Sequence, residues 1–180
     1  MYIQTEYTPN QNALKFLIEG FCQRADIFDF NKSSQDAPNF AKKMLEVEGV
    51  VNVFVTHEFI TITKSEEATF DFINPFIFQI LLEAKANSDF ATKMEEEEEV
   101  GELCEISKQI IEILEDRVKP AVAMDGGDIS FVRFDPESGI VYLKLKGSCS
   151  GCPSSAITLQ QGIKRTLQHY VPEVYEVAAV

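Results

Sequence analysis

The sequence predicts an α+β protein: two small α/β-type domains joined by an acidic linker. Three observations carry that prediction. Short runs with apolar residues at every second position alternate with longer runs of helical apolar spacing, in both halves of the chain. A run of five glutamates, Glu95 to Glu99, interrupts the pattern near the middle. The 180 residues, 45% of them hydrophobic, suffice for one large core or two small ones.

The elements follow in order. Residues 2–7 alternate as a strand, Thr8-Pro9-Asn10-Gln11-Asn12 is turn chemistry, and residues 13–18 resume an extended run. Residues 36–48 read as a helix with Phe40, Met44, Leu45 and Val47 apolar, stopped by Gly49. Residues 50–55 and 59–63 are rich in β-branched side chains and flank Thr56-His57-Glu58, which marks a hairpin. Residues 72–86 carry a long apolar stripe and close a first domain spanning 1–86. Nothing in it has catalytic spacing, and His57 is read as a turn residue.

Residues 87–101 form the linker. Between positions 89 and 105 the chain holds eight acids and one base, Lys93, which accounts for over half of the net charge of −13. Consecutive glutamates repel and stay solvated, so the segment reads as a flexible spacer, with docking to a basic partner face as the weaker reading.

The second domain spans 102–180. Leu103, Ile106, Ile110, Ile113, Leu114 and Val118 recur at helical spacing, and Lys119-Pro120 is expected to end that helix. Met124-Asp125-Gly126-Gly127-Asp128 turns the chain into a strand over 129–134. Pro136-Glu137-Ser138-Gly139 then loops back to a second strand over 140–146. A further helix starts at Pro153, with Ala156, Leu159, Ile163, Leu167 and Tyr170 on one face, and ends at Pro172. Residues 174–180 add an edge strand. The order is α-β-β-α-β, a small sheet with helices on one side. In Asp125-Gly126-Gly127-Asp128 the glycines are expected to supply positive φ. The sharper reading packs this turn beside the following cysteine loop; a cation or acid–base role for the aspartates is weaker. His169 is read as a residue of the last helical turn.

The chemistry concentrates in Gly147-Ser148-Cys149-Ser150-Gly151-Cys152-Pro153-Ser154-Ser155. Two cysteines separated by two residues can direct both sulfurs at one metal centre from a single turn. Clusters of the 2Fe–2S and 4Fe–4S kinds normally take four cysteines, so one chain half-fills such a site and two chains complete it. A position just before a helix N-terminus is expected to lower the thiol pKa, with hydrogen bonds to sulfur from backbone N–H groups, Ser148 and Ser150. The spacing alone also fits half a zinc site or a redox dithiol. Cys22 and Cys104 stand apart and read as solitary free thiols.

Net charge of −13 argues against nucleic acid, which rewards clustered Lys and Arg, and equally against anionic membrane surfaces. No apolar run reaches the roughly 18 residues that span a bilayer. A polar, strand-like segment directly after Met1, with no visible presequence, leads to the expectation of a cytoplasmic setting. In such a compartment Cys-x-x-Cys signals metal or redox chemistry.

Residues 102–180 closely resemble the C-terminal domain of NifU-like (Nfu-type) iron–sulfur cluster scaffold and carrier proteins. The resemblance lies in Lys119-Pro-Ala-Val-Ala-Met-Asp-Gly-Gly-Asp-Ile129, Leu143-Lys-Leu-Lys-Gly-Ser-Cys-Ser-Gly-Cys-Pro-Ser-Ser155 and Pro172-Glu-Val174. Residues 1–86 resemble the family's N-terminal domain through Ile3-Gln-Thr-Glu6, Thr8-Pro9-Asn10, Asn12-Ala-Leu-Lys-Phe16 and Phe59-Ile-Thr-Ile-Thr-Lys64, although the family often has proline where this chain has Gln11. The resemblance implies a 4Fe–4S cluster shared by a homodimer, with Cys149 and Cys152 of each chain as ligands, and allows a 2Fe–2S form in transit. It implies delivery to recipient apo iron–sulfur proteins, supply by upstream assembly proteins, and no catalytic residue. With no presequence visible, the resemblance implies the bacterial cytoplasmic version ahead of a mature mitochondrial matrix form. Two other classes use the same thiols: a thiol–disulfide oxidoreductase and a zinc-bridged structural dimer. A third variant closes the site within one chain through Cys22 or Cys104.

Overall fold

The computed structural model describes residues 2–18, 27–87, 104–149 and 153–180, the side chains of 153–156 excepted. The chain divides into two compact units, Met1–Glu95 and Glu96–Val180, and both mix helices with sheet in an α+β architecture. The acidic segment 88–101, Leu103 and Cys22 lie outside the described residues.

The first unit contains strands β1 (Ile3–Tyr7), β2 (Ala13–Ile18), β3 (Phe28–Asn31), β4 (Val50–Val55) and β5 (Phe59–Lys64), and helices α1 (Asn39–Glu46) and α2 (Phe70–Ala86). The strands form one antiparallel sheet in the order β1-β2-β5-β4-β3. Period-two alternation decides which side chains meet the helices. Leu14, Phe16, Ile18, Val53, Val55, Ile60 and Ile62 share one core with Met44 of α1 and Ile73, Ile77 and Leu81 of α2. Lys15 and Phe59 point to the other sheet face, where the Lys15 ammonium lies 4.5 Å over the Phe59 ring and 3.5 Å from the Glu6 carboxylate. His57 sits in the β4–β5 turn beside Glu58.

Two elements of this unit differ from the sequence reading. Helix α1 starts at Asn39 and not at residue 36, because Pro38 stands at the N-cap with extended backbone and its carbonyl accepts from Lys42 N at 3.0 Å. A proline also biases the residue before it away from helix. Strand β3, absent from the sequence reading, pairs with β4 from Phe28↔Val55 to Asn31↔Asn52. Only that long-range pairing fixes four residues as a strand.

The second unit runs α3 (Glu105–Ile113), a π-helical turn (Leu114–Val118), α4 (Lys119–Met124), β6 (Gly127–Asp135), β7 (Ile140–Gly147), α5 (Pro153–Tyr170) and β8 (Glu176–Ala179). The expected helix end at Lys119-Pro120 is corrected. The chain widens by one residue per turn, with Lys119 N–H donating to the Leu114 carbonyl five residues back. Pro120 then falls in the first turn of α4, where its missing N–H costs nothing.

Strands β6 and β7 form an antiparallel hairpin, and β8 adds to β7 in parallel, in the order β6-β7-β8. A parallel neighbour requires a crossover, which α5 provides. Ile129, Val141, Leu143 and Val177 of the sheet share a core with Ile110, Leu114, Val122, Ile163 and Leu167, so the helices cover one face. Tyr170, expected on that face, is partly exposed with the Arg117 guanidinium 5.0 Å over its ring. His169 lies in the last turn of α5, as expected, edge-on to Tyr170.

Candidate functional site

Strand β7 delivers Cys149. It ends at Gly147 with φ 66°, then Ser148 and Cys149 follow, and α5 begins four residues after the cysteine. Cys152, with Ser150 and Gly151, lies outside the described residues. Cys149 lies in the interior of the second unit. It is 8% exposed and belongs to the same core as Ile129, Leu143, Ile163 and Val174.

The Asp125–Asp128 turn holds this thiol from below. Asp125 caps α4, and Gly126 follows with φ 80°, a left-handed conformation that glycine adopts without steric cost. Gly127 opens β6 opposite Gly147. Ser148 ties loop and turn together: its N–H donates to the Gly126 carbonyl at 3.2 Å, and its hydroxyl donates to the main-chain oxygen of Asp125. The Ser148 hydroxyl also lies 3.9 Å from the Cys149 sulfur. At Gly127 a Cβ would stand 2.6 Å from Cys149 Sγ and 2.9 Å from the Lys146 carbonyl, so only a hydrogen fits. The sharper sequence reading of this turn, as a wall of the cysteine loop, is what the structure shows. Sequence reasoning missed that Gly127 is needed for close approach; the doubled glycine was the available signal.

Burial pushes the Cys149 thiol above its ordinary value, the Ser148 hydroxyl opposes this, and the carboxylates of Asp125 and Asp128 add to the rise. The expected lowering by a helix start is therefore reversed. Desolvation disfavours the charged thiolate more than the Ser148 hydroxyl favours it. Asp128 is itself buried, which raises its carboxyl, while Lys119, a hydrogen bond from the Ile129 N–H and Lys146 pull it down. Lys146, also buried, pairs with Asp128 across the hairpin. Cys104 behaves differently. It is exposed at the N-cap of α3, and hydrogen bonds from the Ser107 hydroxyl and N–H lower its thiol. Among the described residues no three His, Cys, Asp or Glu side chains gather as a metal site, so neither Cys104 nor the aspartates complete a ligand set around Cys149 there.

Fold and site together define a two-unit chain whose second unit sets a Cys-x-x-Cys pair between a hairpin and a crossover helix. A family model described as "NifU-like domain" matches residues 110–178, and one described as "Scaffold protein Nfu/NifU N terminal" matches residues 3–88. The chain belongs to this NifU-like, Nfu-type family. It is 40% identical to "NifU-like protein 4, mitochondrial" of Arabidopsis thaliana over 97% of this chain and 64% of that protein. It is 38% identical to "NFU1 iron-sulfur cluster scaffold homolog, mitochondrial" of Drosophila persimilis over 100% of this chain and 65% of that one. The chain thus spans just under two thirds of the length of these curated relatives. A solution structure titled NifU-like protein from Saccharomyces cerevisiae overlaps 53% of this chain and 87% of its own with TM-score 0.48 at 24% identity, too loosely to carry an argument.

The relatives correct the expectation of a bacterial cytoplasmic protein. They are mitochondrial proteins by name, which overturns that expectation. The earlier expectation rested on the residues after Met1, and the start of a chain that matches only part of its relatives does not report a compartment.

Proposed function

We propose that this chain is an iron–sulfur cluster scaffold and carrier. Two protomers hold one 4Fe–4S cluster through Cys149 and Cys152 of each and pass it to recipient apo-proteins, after loading by upstream assembly proteins. The observation that carries this reading is the Cys149-x-x-Cys152 pair inside the matched NifU-like domain. The matching N-terminal unit and the scaffold named among the relatives support it. Cluster sulfur chemistry requires four thiolates and one pair supplies two, so a second copy completes the set.

The cluster is cargo. A site made of two ligands per protomer, at the junction of two chains, is stable enough to hold it and open enough to lose it. Incoming recipient thiolates replace one protomer's pair stepwise. Each iron–sulfur bond broken is matched by one formed, so transfer needs no oxidant or reductant. The first unit, which brings no cysteine among its described residues, serves recognition of partners. No catalytic residue is assigned.

The deciding experiment is anaerobic reconstitution with iron and sulfide, then size-exclusion chromatography with absorbance, iron and sulfide read on each peak. A brown dimer with about four irons and four sulfides per two chains, able to restore an apo 4Fe–4S recipient, supports the proposal. A colourless zinc dimer, or a monomer that turns over disulfides, overturns it.

A further inference from the structure

We propose that Gly127 is the positioning residue that sets where the Cys149 thiol sits. The inference rests on the scaffold reading for its consequence, and on geometry alone for its substance. Gly127 is the first residue of β6, 22 positions before the cysteine, yet its α-carbon closes directly on the Cys149 side chain. Three distances define the seat. An added Cβ would lie 2.6 Å from Sγ, 3.3 Å from the Cys149 Cβ and 2.9 Å from the Lys146 carbonyl. Real Cβ atoms do not approach that closely, so any side chain at 127 displaces the sulfur, the end of β7, or both.

The seat is also held from the other side. Ser148 binds two successive carbonyls of the same turn, Asp125 and Gly126, so the loop cannot retreat to make room without breaking those bonds. Strand pairing of Gly127 with Gly147 fixes the distance between the two chain segments. The thiol is therefore clamped between a backbone floor and the hydrophobic core, in one place. A ligand pair separated by two residues serves a shared cluster only when both sulfurs are held at a set spacing. Changing residues that orient a metal ligand typically costs about 10–100-fold in metal affinity.

The test is Gly127→Ala in the full chain, with three readouts. Far-UV circular dichroism and urea unfolding establish that the variant is folded. In the metal-free protein, the rate of iodoacetamide alkylation at Cys149 is followed by peptide mass spectrometry, with Cys104 as internal reference; displacement of the sulfur speeds Cys149 by about tenfold and leaves Cys104 unchanged. After reconstitution, iron and sulfide retained per chain fall about tenfold, as for other losses of ligand support. Wild-type alkylation and wild-type cluster retention in the variant overturn the inference. If wild-type protein takes up no cluster but Gly127→Ala still accelerates Cys149, the positioning role holds and the scaffold reading is what fails. Should Gly127→Ala not fold, the pair Gly127→Ala/Cys149→Ala decides. Recovered folding identifies the sulfur as what the new methyl struck, and equal failure places the conflict on the Lys146 carbonyl and removes the inference.

Discussion

Cys104 and Cys149 each lie shortly before a helix in the second unit, and they are chemical opposites. Cys104 caps α3 in contact with water, and the Ser107 hydroxyl and N–H favour its thiolate. Cys149 precedes α5 by four residues but is folded into the core against Gly127, and burial favours its thiol. Proximity to a helix start in sequence does not determine the state of a cysteine. What determines it is whether the sulfur faces the free N–H groups or the apolar interior, and that depends on segments far away along the chain.

The contrast is open to direct test. The largest expected effect is on cargo. Cys149→Ala removes all retained iron and sulfide after reconstitution, whereas Cys104→Ser keeps the full wild-type complement; metal analysis of the desalted protein reads both. A loss at Cys104 would restore the single-chain site as the better reading.

Next comes reactivity. In the metal-free protein at pH 7, Cys104 alkylates faster than Cys149, because hydrogen bonds favour its thiolate while burial disfavours that of Cys149 and slows access to it. As pH rises, Cys104 reaches its plateau before Cys149 does. The same shift sets a sign for stability. Folding raises the Cys149 value, so the native state binds the thiol proton more tightly than the unfolded chain. Stability from this group is intact below the ordinary thiol pKa of about 8.5 and falls as pH climbs from there through the raised value. Urea midpoints of wild type and Cys149→Ala between pH 7 and 10 measure it, and only the wild type should show the decline.

Smaller effects concern packing. Cys149→Ser buries a hydroxyl where a thiol sat and costs about 1–3 kcal/mol, while Cys104→Ser leaves the unfolding midpoint where it was. Smallest is Ser148→Ala. It deletes the hydroxyl bond to the Asp125 carbonyl at a cost of about 1 kcal/mol, measurable by chemical denaturation.

How far the sequence carried these conclusions differs by region. The β6–β7 hairpin was legible in its loop and in β7, because Pro136 and Gly139 punctuate it and residues 140–146 alternate, whereas the register shift between Phe131 and Arg133 was not. The hairpin around Thr56–Glu58 and the start of α5 at Pro153 were equally clear. Local signals failed where a distant partner decides. β3 is four residues made into a strand by β4. The helix that seemed to stop at Pro120 continues because a widened turn absorbs the proline. Cys149 itself was found at once by its spacing, but its burial was not, since the wall it rests on comes from Gly127 on another strand.

The parallel pairing of β7 with β8 makes the cysteine loop part of a closed connection. The chain leaves β7 through Ser148 and Cys149 and returns by way of α5 to set residues 176–179 beside 140–143. Both ends of the segment that carries the ligand are thus tied to neighbouring strands, and its length cannot change without moving one of them.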